Sequence, residues 1–340
     1  MTNTHDRYHR QTLLPGFGDE SAKALEAATV TLVGCGALGT AIAEILVRAG
    51  VGALRIVDRD FVEESNLQRQ ILFDEDDARE SLPKAIAAKR KLVRINSSVR
   101  INAEVADVTP KNIEPLIDGV QLVLDGTDNA ETRFLINDAC VKHRIPWIYG
   151  GAVGTQGLVA TIRPGVGPCL RCFLPDTPPA GSLPTCDTAG VLAPAPLTVA
   201  SLQATAALKL LLGIDTPVGA LTQVDVWRPK MTTIHVARDD QCPACGEGRF
   251  EFLDAALTAW ATTLCGRNAV QITPPGDNRL DLQSLGDTIS RSTPTHFNGI
   301  LLTIDADPFE IIVFPDGRCI IKGTTDEGTA RGVYAKYLGG

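Results

Sequence analysis

Two Cys-x-x-Cys pairs, Cys169/Cys172 and Cys242/Cys245, stand far apart in the chain. A pair of thiolates at that spacing can ligate one metal ion from a single tight turn. Two such turns, expected as short hairpin-like knuckles, supply the four sulfurs of a tetrahedral zinc site. Four protein thiolates leave no position open for water or substrate, so such a metal is structural. A thioredoxin-like redox pair would explain one of these motifs but not both.

A second chemical signal is the loop Gly34-Cys35-Gly36-Ala37-Leu38-Gly39. Its first glycine permits a tight turn, its second lets phosphate approach the backbone, and its third lets helix and strand pack closely. Amides at the start of the following helix can bind anions. Asp58 lies 24 residues beyond Gly34, near the spacing at which a carboxylate reaches a ribose hydroxyl. Taken alone, the loop favours a nicotinamide or flavin dehydrogenase. Cys35 inside it reads as a small buried residue. A polar cluster without an evident use in a dehydrogenase follows: Asp60, Asn66, Arg69 and Gln70. The Arg69 fork could contact phosphate, and Asn66 could hydrogen-bond ribose or phosphate oxygens.

The elements that must position these residues alternate. A buried strand (Val30 to Val33), a helix (Leu38 to Ala49) and a strand ending at Asp58 make one βαβ unit. A helix from about Pro83 to Ile95, a strand near Ile101 to Val105, a strand ending near Asp125, a helix over Ala130 to His143 and the strand PWIYGG follow. The pattern predicts an α/β fold with a Rossmann-like, mostly parallel sheet, helices on both faces, and ligands beyond the carboxyl ends of the strands. Prolines and glycines from Pro175 to Pro196 predict a long loop, followed by a helix over Leu197 to Leu212. After the second cysteine pair the pattern restarts. We place an α/β domain carrying the glycine loop and the tetracysteine site at 1–249 and a small C-terminal α+β domain at 250–340. No 20–50-residue repeat points to a solenoid or propeller.

The composition excludes several classes. The chain has 340 residues, 44% hydrophobic, and can bury a sizeable core. A formal charge of −8 opposes general affinity for nucleic acid or anionic membrane. The polar start and the interruption of the most apolar segment by Gln203 and Lys209 predict a cytoplasmic chain. Nine cysteines, an odd number, fit metal or reactive roles better than a disulfide framework.

RYHRQ near the start, GCGALG, DRDFVEESNLQRQ, Pro83-Lys84, LDGTDN, the two cysteine pairs and CDTAGVLAP occur together, in order, across residues 7 to 245. In this the chain resembles the ThiF/MoeB adenylyltransferases, bacterial relatives of ubiquitin-activating enzymes. The resemblance implies ATP-dependent adenylation of the C-terminal glycine of a ubiquitin-like sulfur carrier, releasing pyrophosphate. Such a reaction needs alignment and charge neutralisation more than a protein nucleophile.

The resemblance also implies roles by position. Gly34, Gly36, Ala37 and Gly39 form the nucleotide loop, and Asp58 holds ribose. Asp60, Ser65, Asn66, Arg69 and Gln70 line the ATP site, Lys84 bears on the phosphates, and Asp128, with Asn129 beside it, is the Mg²⁺-associated carboxylate. Arg10 reaches the ATP site of a neighbouring subunit, which implies a homodimer. Cys186 corresponds to the family's loop cysteine and is a catalytic candidate, and Cys169, Cys172, Cys242 and Cys245 hold Zn²⁺.

Two departures stand out: relatives often have a second glycine where this chain has Ala37, and the stretch before Lys84 is acidic. Cys265 does not resemble the persulfide-bearing loop of a rhodanese domain, and the C-terminal segment resembles an extension found in some relatives. Both favour a ThiS-like carrier of thiazole synthesis over a MoaD-like carrier of molybdopterin synthesis, with a sulfur-donor protein as a further partner. A zinc-stabilised NAD-dependent dehydrogenase and a non-catalytic scaffold of the same family are the alternatives.

Overall fold

The computed structural model describes residues 4–177, 189–254, 261–264, 268–273 and 279–338. The chain divides into two compact units, one made of Met1–Ala78 and Lys84–Ala255, the other of Arg79–Pro83 and Ala256–Gly340.

The first unit is built on β1 (Thr29–Val33), β2 (Ala53–Val57), β3 (Arg100–Glu104), β4 (Leu122–Asp125), β5 (Trp147–Val153), β6 (Gln156–Ile162), β7 (Ala220–Asp225) and β8 (Lys230–His235). They form one sheet in the order β3-β2-β1-β4-β5-β6-β7-β8. From β3 to β5 the pairings are parallel, and from β5 to β8 they are antiparallel. The parallel half has the mononucleotide-binding order, whose switch point lies between β1 and β4.

The helices of this unit are α1 (Thr4–Thr12), α2 (Asp19–Ala27), α3 (Ala37–Ala49), α4 (Glu75–Arg79), α5 (Lys84–Ile95), α6 (Ile113–Ile117), α7 (Ala130–His143), α8 (Leu170–Phe173) and α9 (Pro194–Leu211). The β1-α3-β2 unit forms because Val30, Leu32 and Val33 are buried on one side of the glycine loop, and Leu38, Ile42 and Leu46 recur at helical spacing on the other. Gly50 ends α3 in the left-handed conformation, φ 90°, which glycine adopts without steric cost.

Two details differ from expectation. Helix α9 begins at Pro194 rather than Leu197, because proline is tolerated in a first helical turn, whose amides have no intrahelical acceptor. The first cysteine pair is not a hairpin knuckle: Cys169 precedes the single helical turn α8, which contains Cys172.

The second unit is an antiparallel sheet of β9 (Ala261–Leu264), β10 (Ala269–Ile272), β11 (Thr295–Phe297), β12 (Leu302–Ala306), β13 (Phe309–Val313) and β14 (Cys319–Lys322), in the order β11-β12-β13-β14-β10-β9. Helices α10 (Leu282–Ile289) and α11 (Glu327–Leu338) share its core, where Val270, Leu282, Ile304, Ile321 and Val333 pack together. No helix among the described residues is long and apolar enough to cross a membrane.

Candidate functional site

The ends of β1, β2 and β4 bring three loops together. After β1 the chain turns at Gly34, φ 88°, whose amide donates to the Val57 carbonyl at 2.8 Å. A Cβ at Gly34 would lie 2.5 Å from the Gly126 carbonyl oxygen, so the nucleotide loop and the turn after β4 meet backbone to backbone. Gly36 precedes α3 and has no side chain to cap it, which leaves the first-turn amides to a ligand of negative charge. A Cβ at Gly39 would fall well inside contact distance of the Gly34 carbonyl oxygen. Gly39→Ala is therefore expected to cost about 1–3 kcal/mol through overpacking and to abolish nucleotide binding by opening the loop. Thermal denaturation beside ATP calorimetry checks both.

Asp58 organises the second loop. Its Oδ2 accepts the Cys35 amide at 2.6 Å and its Oδ1 accepts the Asp60 amide at 2.7 Å. Burial pushes the Asp58 carboxyl up, while the Lys84 ammonium pulls it back down. Each carboxylate oxygen keeps a second lone pair with which to accept a ribose hydroxyl. Lys84 opens α5 and is 3% exposed, with its Nζ 3.1 Å from Asp60 Oδ2 and its amide donating to the Asp60 carbonyl at 2.9 Å. The acidic stretch before it forms the short helix α4 and does not displace Lys84 from this cluster.

Asn66, Arg69, Ser65 and Gln70 lie on one turn of chain. Asn66 is buried, and its Oδ1 accepts the Glu63 amide at 3.2 Å. The Arg69 guanidinium donates to the Ser65 carbonyl at 2.9 Å, while Ser65 itself is exposed. Gln70 is 3% exposed, and its Oε1 has no hydrogen-bond partner among the described residues. Its Nε2 lies beside Gly36, so this unmet amide borders the nucleotide loop.

The third loop carries Asp128, which is exposed, and Asn129, whose Oδ1 caps α7 through the Thr132 amide at 2.8 Å. Asp128 thus offers an exposed hard-oxygen donor, the ligand type that Mg²⁺ prefers.

Sequence reasoning missed two cations here. Arg59 contacts both carboxylate oxygens of Asp107 at 3.2 Å. Burial opposes its charge, but Asp107 and Asp60 more than offset that. Arg133 donates to Asp125 Oδ2 at 3.0 Å. An arginine in the first turn of a helix, where the macrodipole disfavours cations, was the available signal for the second.

Arg10 is exposed on α1. That helix is tied to the carboxyl ends of α3 and α5: Gln11 donates to the Ala49 carbonyl at 3.1 Å, Arg7 to the Ile95 carbonyl at 2.9 Å, and Asn96 to the Tyr8 hydroxyl at 2.8 Å. Since α3 starts at the nucleotide loop and rises about 1.5 Å per residue, Arg10 stands beside the far end of a helix about 20 Å long. Cys186 lies outside the described residues.

The four paired cysteines converge: their sulfurs all lie within 4.8 Å of one another, with Cys169–Cys242 at 3.6 Å and Cys172–Cys245 at 3.5 Å. A tetrahedron with metal–sulfur bonds of about 2.3 Å has edges of about 3.8 Å, so the donor set fits zinc in kind and in size. Hydrogen bonds from Cys169 and Cys245 hold the Cys172 thiol low, and the hydrogen bond to Cys172 pushes Cys169 up. The lobe is anchored on α7: Asn137 Oδ1 accepts the Leu170 amide at 2.9 Å, and Asp138 Oδ2 accepts the Phe252 amide at 3.0 Å.

Comparison with known proteins gives the family. The ThiF family profile matches residues 8–244. The sulfur carrier protein ThiS adenylyltransferase of Bacillus subtilis is 44% identical over 98% of this chain and 99% of its own length. The sulfur carrier protein adenylyltransferase of Thermus thermophilus is 41% identical over 71% of this chain and 91% of its own. Among solved structures, E. coli MccB with ATP superposes with a TM-score of 0.63 at 22% identity, covering 72% of this chain and 75% of that one, a likeness of fold. On the family match and on these two relatives, the chain belongs to the ThiF family and is an adenylyltransferase.

Proposed function

We propose that the chain adenylates the C-terminal glycine of a ThiS-like, ubiquitin-like sulfur carrier for thiazole synthesis. The observation that carries this reading is the convergence of an uncapped helix start, the Asp58-Lys84-Asp60 cluster and the Asp128 turn at the switch point of the sheet. The full-length match to the B. subtilis ThiS adenylyltransferase, which includes the C-terminal unit, favours a ThiS-like carrier over a MoaD-like one.

In this reading the carrier carboxylate forms a bond to the α-phosphorus of ATP, and the bond to the β-phosphate oxygen breaks with its electron pair leaving on pyrophosphate. The α3 amides and Lys84 hold the phosphates, Asp58 holds the ribose, and Gln70 closes the loop side. Arg69 exchanges its contact with the Ser65 carbonyl for phosphate. Asp128 would hold Mg²⁺, which neutralises phosphate charge when bound. Zn²⁺ on the four cysteines serves structure alone.

Arg10, remote from its own nucleotide loop, serves the site of a second subunit in a homodimer. A sulfur-donor protein acts after adenylation, and Cys186 is the loop thiol available at that stage.

ATP–pyrophosphate exchange tests the proposal, with ThiS-type and MoaD-type carriers ending in Gly-Gly and their tail-deleted forms. Exchange is expected with the intact ThiS-type carrier and none with the tail-deleted one. Exchange only with MoaD-type carriers would move the chain to molybdopterin synthesis. No exchange with any folded carrier, together with NAD binding, would favour a dehydrogenase.

A further inference from the structure

A cation in the first turn of a helix opposes the helix macrodipole, so Arg133 needs a compensating role. Its fork spans three acceptors. Nε donates to Asp125 Oδ2 at 3.0 Å, and Nη2 donates to the Thr127 carbonyl at 2.6 Å and to the Gly150 carbonyl at 3.0 Å. The guanidinium also lies over the Tyr149 ring, 5.3 Å from its centroid. The other Asp125 oxygen accepts the Thr127 amide at 2.8 Å and its hydroxyl at 2.7 Å. Thr127 is thus gripped at its amide, side chain and carbonyl, and that carbonyl belongs to the peptide that leads into Asp128.

We propose that Arg133 is a positioning residue for the adenylation reaction, fixing the Thr127–Asp128 peptide so that the Asp128 carboxylate meets the Mg²⁺-bound phosphates. This rests on the proposed function, because it takes the loop from Gly34 to Gly39 as the ATP site. The backbone contact between Gly126 and Gly34 sets the distance between turn and nucleotide loop. Arg133 and Asp125 set the rotation of the peptide that follows. One planar group with five donors reaches the three acceptors together, whereas a lysine ammonium is a compact point charge on a flexible stem.

The test compares wild type, Arg133→Lys and Arg133→Gln. Carrier-dependent exchange is measured as a function of Mg²⁺ concentration, and calorimetric binding of a non-hydrolysable ATP analogue is measured with and without Mg²⁺, beside thermal denaturation. For Arg133→Lys the expected result is a folded protein whose exchange falls about 10–100-fold, the scale on which a small misplacement acts. Its half-saturating Mg²⁺ concentration should rise several-fold, while its Mg²⁺-free nucleotide affinity stays near that of wild type. Arg133→Gln should show the same pattern more strongly.

An unchanged Mg²⁺ response in Arg133→Lys would overturn the proposal. So would an equal loss of binding with and without Mg²⁺, or unfolding of both variants, since each marks Arg133 as structural only. An inactive wild type would instead refute the functional reading, so the two failures are distinguishable.

Discussion

Lys84→Ala is expected to lower carrier-dependent ATP–pyrophosphate exchange by about 10²–10³-fold, the usual cost of removing one preorganised group that meets developing charge. The same change should destabilise the protein, because Asp58 and Asp60 lose the buried Lys84 ammonium and, among the described residues, only Asp60 keeps a second cation, Arg59, at 3.9 Å. Breaking a buried pair by removing one partner costs about 3–5 kcal/mol, and the 17% exposure of the Asp60 side chain places this case toward the lower end.

The two effects separate in a second variant. Asp60→Asn with Lys84→Met removes one charge of each sign and should recover most of the lost stability while remaining as inactive as Lys84→Ala. Chemical denaturation and the exchange assay, run on the same preparations, read the two quantities. Lys84→Ala retaining more than a tenth of wild-type exchange would show that the α3 amides and Mg²⁺ carry the phosphates without it. Recovery of activity in the double variant would show that the role of Lys84 is to neutralise Asp60.

What was legible in the sequence was what local chemistry dictates. The glycine loop could be placed because each glycine answers a steric demand within a few residues, and Gly34 and Gly39 meet those demands against backbone atoms. Helix α7 was legible end to end, from the Asn129 cap to the left-handed Arg144 that closes it. The antiparallel strands β6 to β8 left a weaker signal. Every residue of β8 is exposed, so no hydrophobic run marks it, and only β-branched residues such as Thr232, Thr233 and Ile234 hint at a strand.

The partners of side chains that remote elements satisfy were not legible. Gln203 read as an interruption of an apolar segment, yet it is fully buried and donates to the Asp125 carbonyl at 2.8 Å and the Ile148 carbonyl at 3.3 Å. Gly150 leaves the space it occupies. Arg133 and Arg59 belong to the same class, since their acceptors on Asp125, Gly150 and Asp107 come together only when the sheet forms.

Removing the metal is expected to have the second large effect, on stability rather than on chemistry. Cys169 and Cys242 are 1% exposed and share a core with Phe134, Trp147 and Leu170, so the lobe keeps apolar contacts without its ion. The four sulfurs would lose their common partner, however, and would be left facing one another within 4.8 Å inside the protein. Structural zinc contributes about 10–16 kcal/mol in isolated finger peptides. The apolar core retained here leaves a smaller share to the metal, several kcal/mol.

Cys169→Ser with Cys242→Ser should therefore bind less than about half an equivalent of zinc and unfold well below the wild-type midpoint, the scale on which losing a structural metal acts. Elemental analysis and thermal denaturation with and without chelator measure both. The lobe is pinned to the middle of α7 through Asn137 and Asp138, whereas the nucleotide turn lies at the amino end of that helix. Adenylation per folded molecule should accordingly stay within about twofold of wild type at low temperature, because a closed tetrathiolate offers no site to substrate. Full zinc occupancy in the double variant would refute the tetrahedral assignment. A selective loss of exchange in a variant that remains folded would show that the metal acts on the reaction as well as on the fold.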